Sequence, residues 1–238
     1  MTPAGPVTHL LYLHGFRSSP QSNKARQMQS RIARNHPAVH WWCPQLPPSP
    51  RAAMAMVMQG TAEWPAGAMA VVGSSLGGFY ATCVAQARGC KAVLLNPAVH
   101  PARDLAKYIG EQTAWHDPGE RFFFDASFVD ELRALESGPL AHPENFFAVI
   151  AKGDELLDWR EMTGRYAGAK VKLLEGGDHA LSDFEAHMDE VLAFLHEAPV
   201  RPFYVRIEPS YVQGIRVMEP LQAPHLVDRI HFAFFILR

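Results

Sequence analysis

Ser75 stands at the centre of the spacing Gly73-x-Ser75-x-Gly77. A serine hydroxyl is a weak nucleophile at neutral pH. It attacks a carbonyl only when a base lies within hydrogen-bond reach and a third group orients that base. In parallel sheets whose strand turns sharply into a helix at such a serine, the partners follow in the chain order serine, acid, histidine. Of the twelve histidines, His179 follows the last strand-like run on a Gly176-Gly177 turn that frees the backbone to aim the ring. It is the expected general base and acid. His187 and His196 fall inside the closing helix and read as packed or solvated. His142 precedes the acid, and His14 reads as a brace for the loop that follows it.

Two carboxylates compete for the third role. Asp154 ends a strand, where sites in such sheets gather, and is preferred for that reason. Asp158 is the alternative, although Asp158-x-x-Glu161 also reads as the start of a capped helix. Asp178 adjoins His179 in sequence, which places it poorly to reach that ring, and it reads as a turn residue. Attack on a carbonyl creates an oxyanion that needs donors already in place. The backbone N–H of Leu76, directly after the serine, is one expected donor. That of Phe16, in the loop after the first strand, is the other.

These residues need elements to hold them. Apolar runs of strand length occupy 8–13, 39–43, 68–72, 91–95, 146–151 and 170–174. They are continuous rather than alternating, and helical patterns separate most of them, which predicts a parallel sheet covered on both faces. One helix carries Ala25, Met28, Ile32 and Ala33 on its buried face, with Lys24, Arg26, Arg31 and Arg34 read as solvated. Others are expected over 52–59, behind Ser75, and over 159–166. The closing helix spaces Phe184, Met188, Val191, Leu192 and Leu195 helically, with Ser182-x-x-Glu185 as a capping box. Methionines in 52–59 read as core filler. Gly73 and Gly77 suit a bend too tight for side chains.

Two stretches break this rhythm. Residues 99–144 are too long for a plain connection. They hold helix-like pieces at 103–108 and 128–136, with Trp115, Phe122, Phe123 and Phe124 between them. This insertion is either a helical cap whose aromatics line an acyl pocket or an excursion whose aromatics pack on the sheet. Residues 199–238 follow the last helix as a C-terminal extension with strand-like pieces, beyond a main domain over 1–198.

Composition narrows the functions. A formal charge of −2 gives no field to draw nucleic acid or an anionic membrane. Three cysteines, without C-x-x-C spacing, argue for reduced thiols and a cytoplasmic setting. The first residues lack the basic stretch of a secretory signal. No apolar run is long enough to span a bilayer. Nothing suggests a metal site, a Walker or Rossmann glycine pattern, or a cofactor. Arg17 and Arg51 read as solvated, or else as partners for an anionic group of a substrate.

Several long motifs, in order, resemble the small bacterial YqiA-like esterases. They are Leu11-Tyr12-Leu13-His14-Gly15-Phe16, Gly73-Ser74-Ser75-Leu76-Gly77-Gly78-Phe79-Tyr80, Asn96-Pro97-Ala98, Gly153-Asp154-Glu155-Leu156-Leu157-Asp158 and Gly176-Gly177-Asp178-His179. The resemblance runs from about residue 8 to 196. It implies an α/β-hydrolase fold without cofactor, and esterase activity on simple acyl esters or acyl-CoA thioesters. It also implies Ser75, Asp154 and His179 as a triad. The chain departs from the pattern in its last forty residues and at Leu181, where an aromatic is expected. That second change is expected to fall at the pocket edge.

Overall fold

In the computed structural model, residues 6–196 are described. The 199–238 extension lies outside them. All six expected strands form: β1 (His9–Leu13), β2 (His40–Trp42), β3 (Met69–Ser74), β4 (Lys91–Leu95), β7 (Phe146–Ala151) and β8 (Lys170–Leu174). They make one sheet in the order β2-β1-β3-β4-β7-β8, and every neighbouring pair is parallel. The chain steps outward from β1 to β2, then returns to the other side of β1 for β3. The carboxyl ends of β1 and β3 therefore flank the switch point where such sheets form crevices.

Strand side chains alternate between two buried layers, so each strand is apolar along its length. Leu10, Tyr12, Val72, Val93, Phe147 and Val149 face one layer, covered by α1 (Asn23–Asn35) and α7 (Met188–His196). Leu11, Leu13, Val71, Leu94, Ala148 and Ile150 face the other. That side is covered by α2 (Pro50–Gly60), α3 (Leu76–Arg88), α5 (Ala126–Leu135) and α6 (Trp159–Arg165). Ser49 caps α2 through its hydroxyl, and Pro50 takes the first turn, where a missing N–H costs nothing.

The insertion keeps its two helical pieces, α4 (Pro101–Leu105) with a 3-10 turn after it, and α5. Between them the chain forms an antiparallel hairpin instead of more helix: β5 (Gly110–Thr113) pairs with β6 (Arg121–Phe124). Consecutive phenylalanines hide the period of two in the sequence. In the fold, Phe122 and Phe124 turn inward against Phe16, while Phe123 is exposed.

A second difference lies before α7. Ser182 does not cap a helix. Its N–H and hydroxyl both bond the carboxylate of Asp178, and a 3-10 turn over Phe184–His187 leads into α7. Leu181, expected at the pocket edge, is instead buried in the α1/α7 layer.

Candidate active site

Ser75 sits between β3 and α3 at φ 56° and ψ −121°, a conformation that non-glycine residues rarely adopt. Such strain costs on the order of 1–3 kcal/mol and persists only where surroundings over-determine it. Here four hydrogen-bonding groups pin the residue. Its N–H donates to the carbonyl of Leu95 (3.0 Å), and its carbonyl accepts from Gly78, Phe79 and Ala98. Gly73 and Gly77 make the bend possible. A Cβ on Gly73 would lie 2.1 Å from the carbonyl oxygen of Gly77, and one on Gly77 would lie 2.0 Å from that of Leu13.

The turn carries the Ser75 hydroxyl to the carboxyl edge of the sheet. Its Oγ lies 2.9 Å from Nε2 of His179. On the far side of the same ring, Nδ1 lies 2.8 Å from Oδ2 of Asp154. The three predicted residues thus converge from the ends of β3, β7 and β8. Oδ1 of Asp154 accepts from the N–H groups of Leu156 and Leu157, which fixes the carboxylate plane. Asp158 goes elsewhere: it caps α6 by accepting from the N–H of Arg160. Asp178 is the expected turn residue, bonded to Ser182.

Among the described residues the N–H groups of Phe16 and Leu76 have no protein acceptor. Both residues line a cavity of about 550 Å³ that also reaches Ser75 and His179. Leu105, Tyr108, Leu156 and Leu157 give it apolar walls. A second, smaller cavity of about 220 Å³ lies against Phe16 and Leu76 from another side, next to the Leu46-Pro47-Pro48 loop.

His14 braces this region as expected. The N–H of Leu46 donates to its Nε2 (3.0 Å), so the ring proton resides on Nδ1 and is donated to the carbonyl of Gly15 (3.0 Å). Burial lowers its pKa from 6.5 to about 4, with a further push from His116, against the opposing pull of the Gly15 bond.

The aromatics of the insertion divide between the two expected roles. Trp115 lines the larger cavity and Phe122 the smaller, whereas Phe124 is buried in the core. Arg17 also divides from Arg51. Arg17, at φ 60°, donates from Nε to the carbonyl of Thr113 and stacks 4.1 Å from the Trp115 ring centre, beside the cavity. Arg51 is spent on Glu131, away from both cavities.

Two residues were not legible as parts of this site. Lys24, expected on a solvated face, turns into the larger cavity and donates to the carbonyl of Ala180. Burial pulls its ammonium down to about 8 against the opposing attraction of Asp178 and Asp154. Asn96 is buried, and its amide donates to the carbonyls of Asp178 (2.9 Å) and His179 (3.2 Å) while Oδ1 accepts from the N–H of Ala151 (2.8 Å). It ties the loop that bears His179 to β7. Its sequence signals are a position at the end of β4 and its place in the Asn96-Pro97-Ala98 motif.

Burial pushes the thiols of Cys43, Cys83 and Cys90 up, to about 12, 11 and 12, so they are poor rival nucleophiles. Among the described residues no cluster of His, Cys, Asp and Glu could hold a metal ion, and no helix is long and apolar enough to cross a membrane.

The sheet order, the helices on both faces and the serine turn after β3 define an α/β-hydrolase fold. Solved structures share it at low identity. Mouse alpha/beta hydrolase domain-containing protein 10 is 16% identical with a TM-score of 0.59, over 80% of this chain and 92% of its own. Est1E from Butyrivibrio proteoclasticus is 14% identical with a TM-score of 0.55, over 82% and 87%. Pyrococcus furiosus esterase Pf2001 is 17% identical with a TM-score of 0.52, over 81% of each. Within that fold, the chain belongs to the uncharacterised protein family UPF0227, whose model matches residues 9–196.

Proposed function

We propose that this protein is a serine carboxylic-ester hydrolase acting through Ser75, His179 and Asp154. The observation that carries the reading is the unbroken line of contacts from Ser75 Oγ through the His179 ring to Asp154, at 2.9 and 2.8 Å. Ser75 Oγ attacks the acyl carbonyl as His179 Nε2 takes its proton. The carbonyl oxygen becomes an oxyanion facing the N–H groups of Phe16 and Leu76. Donors of this kind are each worth about 10²- to 10³-fold in rate in other enzymes. The tetrahedral adduct collapses, His179 returns the proton to the departing alcohol, and the acyl group stays on Ser75. Water then enters, gives a proton to His179 and attacks the acyl carbon; the bond to Ser75 Oγ breaks, His179 returns the proton to Oγ, and the acid leaves. Asp154 holds the ring in one tautomer and stabilises the imidazolium that forms twice per cycle.

The apolar walls of the larger cavity suit an uncharged short- to medium-chain acyl group. A thioester, such as an acyl-CoA, presents the same carbonyl to the same serine. Est1E binds ferulic acid and Pf2001 is an esterase by name, and these structural neighbours support an ester substrate.

Labelling with a fluorophosphonate probe tests the nucleophile. The native protein is expected to label and Ser75→Ala to remain unlabelled, with loss of activated-ester hydrolysis. Equal labelling of the two proteins would remove Ser75 from the mechanism.

A further inference from the structure

The larger cavity reaches Ser75, and the smaller one shares with it a wall of His14, Gly15, Phe16, Arg17, Ser18 and Leu76. The Phe16 ring packs 5.6 Å from the ring of Tyr108 and, edge-on, 5.9 Å from that of Phe122. Tyr108 lines the larger cavity and not the smaller; Phe122 lines the smaller and not the larger. The ring therefore stands between them, held from behind by Phe124 at 5.2 Å.

We infer that the Phe16 side chain is a partition that sets the length of acyl chain the enzyme accepts, with the smaller cavity as an extension of the acyl site. This rests on the esterase reading above. The leaving group must face Nε2 of His179 to be protonated, and His179 does not border the smaller cavity. The group that could pass Phe16 and Leu76 is thus the acyl chain. Leu46, Pro47, Met56 and Phe122 offer that chain apolar walls, beside the polar lining of Gln45, His116 and Glu120. A volume of about 220 Å³ is that of about seven waters at ~30 Å³ each, so several further methylenes fit.

The partition role belongs to the ring. The oxyanion role belongs to the backbone N–H of the same residue. The two separate when rates are compared as a ratio within each variant. Each methylene newly buried is worth about fourfold in kcat/KM. In Phe16→Ala the octanoyl-to-butyryl ratio for nitrophenyl esters is expected to rise at least about tenfold over the native protein. Phe16→Leu, a milder change, is expected to raise it by a smaller factor. Adding Met56→Trp to Phe16→Ala, which fills the smaller cavity, should return the ratio toward the native value. An unchanged ratio in either single variant, with native-like cooperative unfolding, would overturn the partition.

A binding measurement separates this from the esterase reading. Octanoate and butyrate are titrated calorimetrically into Ser75→Ala and into Ser75→Ala/Phe16→Ala. A shift in preference toward octanoate in the double variant supports the partition even if the native protein hydrolyses no ester. The same preference in both proteins overturns it, whatever the turnover.

Discussion

Oδ2 of Asp154 lies 2.8 Å from Nδ1 of His179, and the carboxylate side chain is wholly shielded from solvent. Asp158, four residues on, is turned to the first turn of α6 instead. The two acids are interchangeable on a reading of chain order, and they separate cleanly in mutational terms. Asp154→Asn is expected to lower kcat by about 10⁴, because the amide favours the wrong tautomer of the ring. Asp158→Ala is expected to leave turnover near native and cost about 1 kcal/mol through the lost cap. Steady-state kinetics and thermal unfolding of the pair check this. Loss of turnover in Asp158→Ala with Asp154→Asn still active would reverse the assignment.

Asn96 links the His179 loop to the sheet from within the core. Asn96→Leu strands the N–H of Ala151 and the carbonyls of Asp178 and His179. Unpaired buried groups cost about 1–3 kcal/mol each, so a loss of about 3 kcal/mol is expected in chemical denaturation. Displacement of the His179 loop should also lower kcat on the order of 100-fold. A variant that unfolds early but turns over at the native rate would limit Asn96 to stability.

Gly73→Ala and Gly77→Ala are expected to prevent stable folding, since each methyl group would meet backbone at 2.1 or 2.0 Å. Gly67→Ala, with nothing within 4 Å, serves as the control. Soluble yield and unfolding midpoint report the outcome. A native-like midpoint for Gly77→Ala would mean that the crossing of α3 over β1 is looser than this geometry.

His14 makes acid stability a test of the brace. Its pKa is about 4 in the fold and 6.5 when free, so above 6.5 both states are neutral and its contribution is fully present. Between those values only the unfolded chain takes up the proton, and stability falls as pH drops; below about 4 the loss levels off. The span corresponds to about 3 kcal/mol at ~1.4 kcal/mol per pH unit. His14→Gln should flatten this part of the pH–stability curve relative to the native protein. Parallel curves would place the acid sensitivity in other groups.

Much of the architecture was legible because it is written in short-range patterns. Continuous apolar runs mark strands buried on both faces, and all six formed where expected. The serine turn was legible for the same reason: Gly73, Ser75 and Gly77 state a local backbone problem and its solution within five residues. The hairpin in the insertion was not, because Phe122, Phe123 and Phe124 are alike in type and differ only in which face each meets. Ser182 failed as a helix cap because Asp178 sits one turn earlier and accepts both of its donors.

What the chain alone determined was the set of residues whose types and spacing suit acyl transfer: a serine at a tight turn, with an acid and a histidine further along in the order such sheets require. What the tertiary structure decided was which carboxylate meets the ring, that Asn96 anchors the histidine loop, that Lys24 faces inward, and that Phe16 stands between two cavities. These are long-range facts. Asp154 and His179 lie 25 positions apart and Ser75 and His179 lie 104 apart, and distances of that kind arise only when the parallel sheet brings the ends of separate strands to one edge.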